Sequence, residues 1–587
     1  MSKAAEALKI AWAAEWENAL ALWSRYTRLR LPALCVTHAQ AEAEGLSASF
    51  AMIRLADQTV VIDLQEVHRR GLDDFPLEIL AHEIGHHIYC PADLTDQGRL
   101  IARMRRALYG REEHADALAN IYADLLINDR LQRQSAGNPL RMDAIYQKLN
   151  EDAKLDGLWL LFMRILEILW KLPRGQLAAG PIDERMDSDA YLGARLIRSY
   201  ARSWLDGAGR FAVLCLPYLM EQQQVKTLSG LKGWRDTQHA GAGGMPIGLT
   251  EIEGDEITGA IHPALDPELS GVEMEDDTEG EGKEKARPKD TPAEKSQGQY
   301  REPFEYGAIL KSLGLKLTDH DIAVRYYRER AAPYLVPFPT RVMPETTDPL
   351  PEGLEPWDIG SPVEAVDWVE SVTYSPHIIP GVTTLQRTWG VAEGGQPARQ
   401  PLDLDLYVDC SGSMPNPQQN ISYPALAGAI IAISALRSGA RVQATLWSGA
   451  REFQTTPGFV RDEDAILRIL TGYLGGGTAF PIHMLRDTYL GDRPRNRPTH
   501  ILVISDSGVT TMYDKDELGN SGWTVAEMAL EAAGGGGTMV LEVFAGWLEY
   551  PEMKRSREIG WDTYSVEDMS ELVAFARAFA RKKYGQG

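Results

Sequence analysis

The sequence predicts a multidomain protein of two fold classes: an N-terminal α+β part, mostly helical with a small sheet, and a doubly wound α/β domain at the C-terminus. Three observations predict it. Helical periodicity dominates residues 1–240, broken by three short β-like runs near the start. A Gly-, Glu-, Asp- and Pro-rich stretch at 241–300 interrupts the chain. Residues 401–587 then alternate strand and helix patterns, which argues for a mainly parallel sheet with helices on both faces.

A chain of 587 residues is too long for one core. Its 44% hydrophobic and 24% charged residues are ordinary for a soluble protein. The net charge of −23 argues against nucleic acid as a partner, because phosphate binding needs a basic surface. Part of that charge is local: residues 251–300 carry fifteen acidic and five basic side chains. Cys35, Cys90, Cys215 and Cys410 are scattered and show no C-x-x-C spacing, which fits a reducing compartment better than a disulfide framework or thiolate zinc site. No charged-then-apolar signal pattern opens the sequence. The most apolar run, Gly157 to Trp170, is too short to span a bilayer and carries Arg164 and Glu167, so it reads as a buried helix. These features together predict a cytoplasmic protein without a membrane partner.

Along the chain, Leu8, Trp12, Trp16 and Leu20 recur every fourth residue and predict one long helix over 3–28. Cys35–Thr37, Phe50–Arg54 and Thr59–Leu64 read as a small sheet. A helix starts near Leu77, with Pro76 well placed in its first turn, and helical patterns continue to about Met220. The stretch 241–300 has too few apolar groups to offset its ordering entropy and reads as a disordered acidic linker. Residues 301–400 regain aromatic content but are interrupted by prolines, which predicts a connecting region of helices and irregular segments. In 401–587 the strand patterns are Leu402–Val408, Val442–Trp447, His500–Ser505 and Thr538–Phe544. The predicted domains are therefore 1–240, 241–300, 301–400 and 401–587.

The first of the C-terminal strands runs into Asp409-Cys410-Ser411-Gly412-Ser413, a D-x-S-x-S turn. One carboxylate and two hydroxyls at alternate positions offer hard oxygen ligands from one side, which suits Mg²⁺. Thr478 follows Gly475-Gly476-Gly477, and Asp506 ends the strand at Ser505. In an open α/β sheet these positions meet at the carboxyl ends of the central strands, where ligands bind. With all five present in order, residues 401–587 resemble the von Willebrand factor A (vWA) family, whose domain is Rossmann-like and doubly wound. The resemblance implies a metal-ion-dependent adhesion site formed by Asp409, Ser411, Ser413, Thr478 and Asp506. It further implies binding rather than catalysis, with a partner's Asp or Glu filling an open position on the Mg²⁺. Asp403 and Asp405, in an otherwise apolar strand, have no explanation in the sequence.

The second motif is His82-Glu83-Ile84-Gly85-His86, an H-E-x-x-H on a helix. Spacing of i, i+4 puts both imidazoles on one face, able to share Zn²⁺, and Glu83 can reach a metal-bound water as general base. A short sheet before it and a helix after it match the order of elements in zinc peptidases, so the region resembles the zincin group. His87 and His114 read as bystanders. For the third ligand, Asp116, Asn120, Asp124 and Asn128 recur every fourth residue and form a polar stripe on an apolar helix. Glu112-x-x-Ala115-Asp116 resembles the E-x-x-A-D pattern of gluzincins, with Glu112 as ligand. The run Asn120 to Asn128 resembles the matching helix of bacterial vWA-containing zinc metallopeptidases, with Asp124 as ligand and Asn128 supporting it. The Asp124 assignment is preferred and Glu112 is its alternative. That family also joins an N-terminal H-E-x-x-H region to a C-terminal vWA domain through a charged middle.

These readings imply a zinc metallopeptidase with Glu83 as catalytic base, whose vWA domain recruits a protein substrate or partner. The alternative is a non-catalytic vWA interaction or adaptor protein with a structural or vestigial zinc site. Many bacterial vWA proteins resembling this one act beside AAA+ ATPases of the MoxR type. The chain itself contains no G-x-x-x-x-G-K-[ST] phosphate loop, so an ATP-driven step would belong to such a partner.

Overall fold

The computed structural model describes residues 3–24, 26–46, 49–134, 140–151, 157–222, 245–269, 299–335, 350–390, 401–449, 451–491, 497–568 and 570–584. The chain forms two compact units: Met1–Glu329 with Gln418–Ile421, and Arg330–Pro417 with Ser422–Gly587. Both mix helix and sheet. The boundaries expected at 240, 300 and 400 are thereby redrawn. Helix Pro303–Ser312 belongs to the first unit, and an antiparallel hairpin, Leu350–Pro356 with Leu385–Gly390, belongs to the second.

In the first unit, the long helix predicted over 3–28 is two helices, Lys3–Ala14 and Trp16–Trp23, that keep the predicted stripe: Trp12, Trp16 and Leu20 are buried. The small sheet is three-stranded, with Thr59–Asp63 between Ala33–Cys35 and Ala51–Arg54. Helix Pro76–Ile88 carries proline in its first turn, where the missing N–H has no helical partner to lose. It packs against helices Trp16–Trp23 and Ala115–Gln134 and strand Ala51–Arg54. The Trp23 indole ties it down by donating to the Ala81 carbonyl at 2.7 Å. The apolar run forms the buried helix Gly157–Leu169. Among the described residues, no helix is long and apolar enough to cross a membrane.

The linker expected over 241–300 is corrected in part. Residues 245–269 are built into the first unit as short helical turns, while 223–244 and 270–298 lie outside the described residues. The acidic side chains of this stretch have specific basic partners. Asp255 accepts from Arg103 Nε at 3.0 Å, Glu256 pairs with Arg301, and buried Asp266 accepts from Arg210 and from the Tyr200 hydroxyl. Composition alone treats such residues as solvated. Here the compensating arginines lie far away in sequence.

The second unit is built on a six-stranded sheet. Its order is Phe453–Thr455, Val442–Trp447, Asp403–Asp409, Thr499–Ser505, Gly534–Glu542 and Trp561–Val566, and all pairings are parallel except the first. The two outermost strands were not anticipated. Period-2 alternation sends Tyr407, Ile501, Val503, Met539 and Leu541 to one face, into a cluster with Leu485, Val525 and Ala529. Leu406 and Val408 face the other way, against Gly428 in helix Tyr423–Arg437.

The structure also accounts for the two buried aspartates of the central strand. Asp403 accepts from Arg441, at its backbone N (3.0 Å) and its guanidinium. Asp405 accepts from the Tyr489 hydroxyl at 2.8 Å, and from the Tyr407 hydroxyl and Gln443 Nε2, each at 3.2 Å. Buried carboxylates are tolerated when satisfied in this way.

Buried His500 sits in the same sheet, with Nδ1 donating to the Gly535 carbonyl at 2.8 Å and Nε2 accepting from the Thr538 hydroxyl at 3.0 Å. Burial pushes this imidazole down to about 4, opposed by the Gly535 hydrogen bond. An unfolded histidine titrates near 6.5. Protons therefore favour the unfolded chain progressively as pH falls from about 6.5 to about 4, and above that window His500 has no pH-dependent effect. The full difference is on the order of 3 kcal/mol. Urea unfolding of the wild type and of His500→Gln at pH 7.5 and 4.5 should show the wild type losing more stability across that range. Parallel losses would show that His500 does not carry the dependence.

Candidate metal centres

The first unit brings His82, His86 and Asp124 together, all three buried, with candidate ligand atoms within 4.8 Å of one another. Asp124 Oδ1 stands 3.4 Å from His86 Nε2 and 3.6 Å from His82 Nε2. Donors about 2.0–2.1 Å from a tetrahedral ion are separated by about 3.4 Å. Both distances from the carboxylate to the imidazoles therefore match the edges of a tetrahedral site.

The opposite edge of each ring is held by an acceptor. His82 Nδ1 lies 2.8 Å from Asn128 Oδ1, and His86 Nδ1 lies 3.2 Å from the Cys90 carbonyl. Oxygen acceptors at both Nδ1 atoms require protons there, which leaves the Nε2 lone pairs directed at the shared space. His86 Nε2 is buried and makes no hydrogen bond among the described residues. Asn128 is oriented in turn by donating from Nδ2 to the Tyr146 hydroxyl at 2.7 Å, and Asn120 Nδ2 donates to Asp124 Oδ2 at 3.3 Å.

Close helix packing makes this register possible. A Cβ on Gly85 would stand 2.5 Å from the Trp23 ring and 2.7 Å from Ile127 Cγ2, so glycine lets the motif helix press against both neighbours. Beside the cluster is a cavity of about 40 Å³ lined by Phe50, Ile79, His82, Glu83, Asp124, Met142, Ile145, Tyr146 and Leu149. Two buried carboxylates, Glu83 and Asp124, border it, and no Lys or Arg is among its described walls. A divalent cation held there would be met by two buried carboxylates and two imidazoles. The residues fit a metal. Burial, reinforced by the Asp124 carboxylate, keeps the neighbouring Cys90 thiol well above the ordinary thiol range.

Glu112 is not in this cluster. It sits in the 3-10 turn Glu112–His114 and accepts from Gly110 N at 3.0 Å. His87 bonds the Ala92 carbonyl and His114 pairs with Glu113, so neither joins the cluster. Tyr146 was not anticipated, because nothing in its own segment marks it out.

In the second unit, Asp409, Ser411, Ser413 and Asp506 form a continuous hydrogen-bonded group. Ser411 N donates to Asp409 Oδ1 at 2.8 Å, the Ser411 and Ser413 hydroxyls lie 3.2 Å apart, and Ser413 Oγ donates to Asp506 Oδ2 at 2.9 Å. Thr478 lies against Gly508, which donates its N–H to Asp506 Oδ1 at 2.7 Å. The two loops are stapled by Gly412 N to the Gly476 carbonyl and Gly475 N to the Cys410 carbonyl. Asp409 and Ser411 are buried, whereas Ser413 and Thr478 are exposed, so the group is open on one side. Burial pushes the Asp409 carboxyl above its ordinary range, against hydrogen bonds from Ser505 and Ser411 and with added repulsion from Asp506. An all-oxygen set of this size suits a hard divalent cation.

No family model matches the sequence, and no curated protein matches it. Among solved structures, the pilus adhesin SpaC from Lactobacillus rhamnosus GG is similar at 14% identity over 32% of this chain, with a TM-score of 0.24. The match spans 31% of that structure's length. A likeness this low carries no argument about fold or function.

The first cluster yields a direct expectation. Asn128→Ala should weaken Zn²⁺ binding by about 10- to 100-fold, the usual effect of removing a ligand's hydrogen-bonding partner. Glu112→Ala should leave it unchanged. Competition titration against a chromophoric chelator measures both, and a larger loss for Glu112→Ala would reverse the assignment.

Proposed function

We propose that this chain is a zinc-dependent metallopeptidase whose C-terminal vWA domain holds Mg²⁺ and recruits a protein substrate or partner. The observation that carries the reading is the convergence of His82, His86 and Asp124, with His82, Asp124 and buried Glu83 bordering one cavity. On this reading the first unit is zincin-like, and His82, His86 and Asp124 hold the Zn²⁺. When bound, Zn²⁺ supplies a Lewis acid that polarises the substrate carbonyl and acidifies water. Glu83, one residue after the first histidine, accepts the proton of the attacking water and returns it to the departing amine. Asn128 and the Cys90 carbonyl fix both imidazoles as Nδ1–H tautomers, and the apolar cavity walls limit competing water.

The vWA assignment is supported by a mainly parallel sheet with helices on both faces and by the oxygen-rich group at the carboxyl end of its central strands. The open side gives an incoming carboxylate access to the ion. Attraction for an acidic partner would be concentrated there, since the chain as a whole is negative. A MoxR-type ATPase remains the proposed source of any ATP-driven step.

Zinc analysis and a peptide-library assay test the enzyme reading. Wild type should carry one Zn²⁺ in the first unit and hydrolyse peptides. Glu83→Gln should keep the zinc and lose at least about 100-fold in rate, because only the proton acceptor changes. Zinc without hydrolysis in wild type would favour the adaptor alternative, and absence of zinc would sink the enzyme reading.

The second centre is tested by Mn²⁺ as a paramagnetic stand-in for Mg²⁺. Wild type should bind one Mn²⁺ beyond any held at the zinc site, whereas Asp409→Ala with Asp506→Ala should bind none there and retain its zinc. Equal Mn²⁺ binding in the double variant would remove the cation from the proposed site.

A further inference from the structure

We propose that the hairpin module of residues 350–390 in the second unit is a docking surface for another protein, which meets it with an apolar segment bordered by lysines or arginines. The surface is independent of both metal centres.

The module is internally tied yet turns much of its apolar content outward. Between strands Leu350–Pro356 and Leu385–Gly390 the chain forms helix Trp368–Tyr374, capped by the Asp367 carboxylate, which accepts from Glu370 N at 3.1 Å. Leu385 N donates to the Ser371 hydroxyl at 2.8 Å and Trp357 N to the Thr384 carbonyl at 2.7 Å, so helix, loop and both strands hold together. Trp357, Val366 and Leu385 are buried in this small core. Ile359, Trp368, Val369, Val372, Ile379 and Val382 are instead half exposed or more. Val372 is one helical turn from both Trp368 and Val369, and Ile359 lies against Gly381, where a Cβ would stand 3.0 Å from its Cγ1. One exposed valine is ordinary, but so many large apolar side chains on one small folded module mark an interaction site.

Charge decides what covers it. Residues 350–390 carry six acidic side chains and one basic one, Arg387, which is committed to Asp367 at 2.6 Å. Glu355 accepts from the neutral Gln386 amide at 2.8 Å, and exposed Asp358 and Glu364 form no ion pair among the described residues. Uncompensated carboxylates beside apolar surface repel nucleic acid and an anionic membrane. A second copy would bring the same carboxylates to face these ones. A partner with lysines or arginines around an apolar contact matches both features, its basic rim steering the encounter and its apolar centre supplying the affinity.

The test uses the full chain and two labelled amphipathic peptides of equal length, one of leucine and lysine, the other of leucine and glutamate. Fluorescence anisotropy gives the dissociation constants. The Leu/Lys peptide should bind and the Leu/Glu peptide should not, with or without Mg²⁺. Val369→Ser combined with Val372→Ser and Val382→Ser should weaken Leu/Lys binding at least about 10-fold, because apolar burial is lost while charge is unchanged. Asp358→Lys with Glu364→Lys should weaken it separately, and it decides the matter if the serine variant does not fold. Thermal melts matched to wild type check both variants, whose altered side chains are exposed. Equal Leu/Lys binding by wild type and a folded serine variant would reduce the contact to general attraction for a negative chain and overturn the proposal. So would failure of the Leu/Lys peptide to bind, equal binding of the two peptides, or loss of binding without Mg²⁺. A wild-type dimer in sedimentation that the serine variant lacks would give the face to a second copy. Flotation with phosphatidylcholine vesicles, lost in the same variant, would give it to a membrane, and either result overturns the basic partner.

Discussion

Two imidazoles four residues apart on one helix have to turn the same ring nitrogen toward a single carboxylate on another, and the first unit is organised around that requirement. The partner helix meets it with a matching interval. Asp124 faces both Nε2 atoms, and Asn128, one turn on, takes the Nδ1 proton of His82. A slip of one residue in either helix would rotate its side chains by about 100° and break both contacts. Register is therefore the quantity the surrounding structure must hold. Gly85 allows the close approach, the Trp23 indole anchors the Ala81 carbonyl, and Tyr146 fixes the Asn128 amide.

This explains what the sequence could and could not reveal about the site. The spacing of His82 and His86 is a local property of a helix, so their shared face was legible. The stripe Asp116, Asn120, Asp124, Asn128 was also legible, but every member lies on one helix face, and helical periodicity cannot say which turn meets the histidines. Tertiary packing chooses Asp124. Glu112, equally acidic and close in sequence, is used to close the turn before the helix. Tyr146 was beyond reach, because its role depends on the neighbour its hydroxyl meets. The same limit applies to the sheet of the second unit. Its central strands are continuous apolar runs, whereas the edges Phe453–Thr455 and Trp561–Val566 are short or polar enough to pass for loop.

Charge was the least transferable signal. The acidic excess of 251–300 suggested solvation, yet Asp255, Glu256 and Asp266 are held by Arg103, Arg301 and Arg210. Asp403 and Asp405 looked anomalous in an apolar strand, yet an arginine and three neutral donors satisfy them. A net charge counts residues without asking which are paired, and pairing across 45, 56 or 152 positions is invisible to any short window of sequence.

The structural carboxylates differ from those at the two proposed centres in the groups that surround them. Asp405 has its donors supplied by the fold. Glu83 and Asp124 border a cavity with no Lys or Arg among its described walls, and Asp409 and Asp506 repel each other beside the Ser411 and Ser413 hydroxyls. Both arrangements suit a divalent cation, but their donors differ. Two imidazoles and a carboxylate in an enclosed site favour a borderline metal with a tetrahedral preference, while oxygen donors open to solvent favour a hard, partly hydrated one. The same difference divides the proposed labour. An enclosed metal beside a buried base and an apolar cavity would suit bond cleavage with water controlled, whereas an ion at the exposed carboxyl ends of the central strands would be accessible to the side chain of another protein. One chain carrying both could capture a target at the second unit and cleave at the first, with cation affinity at the exposed site governing capture independently of zinc at the enclosed one.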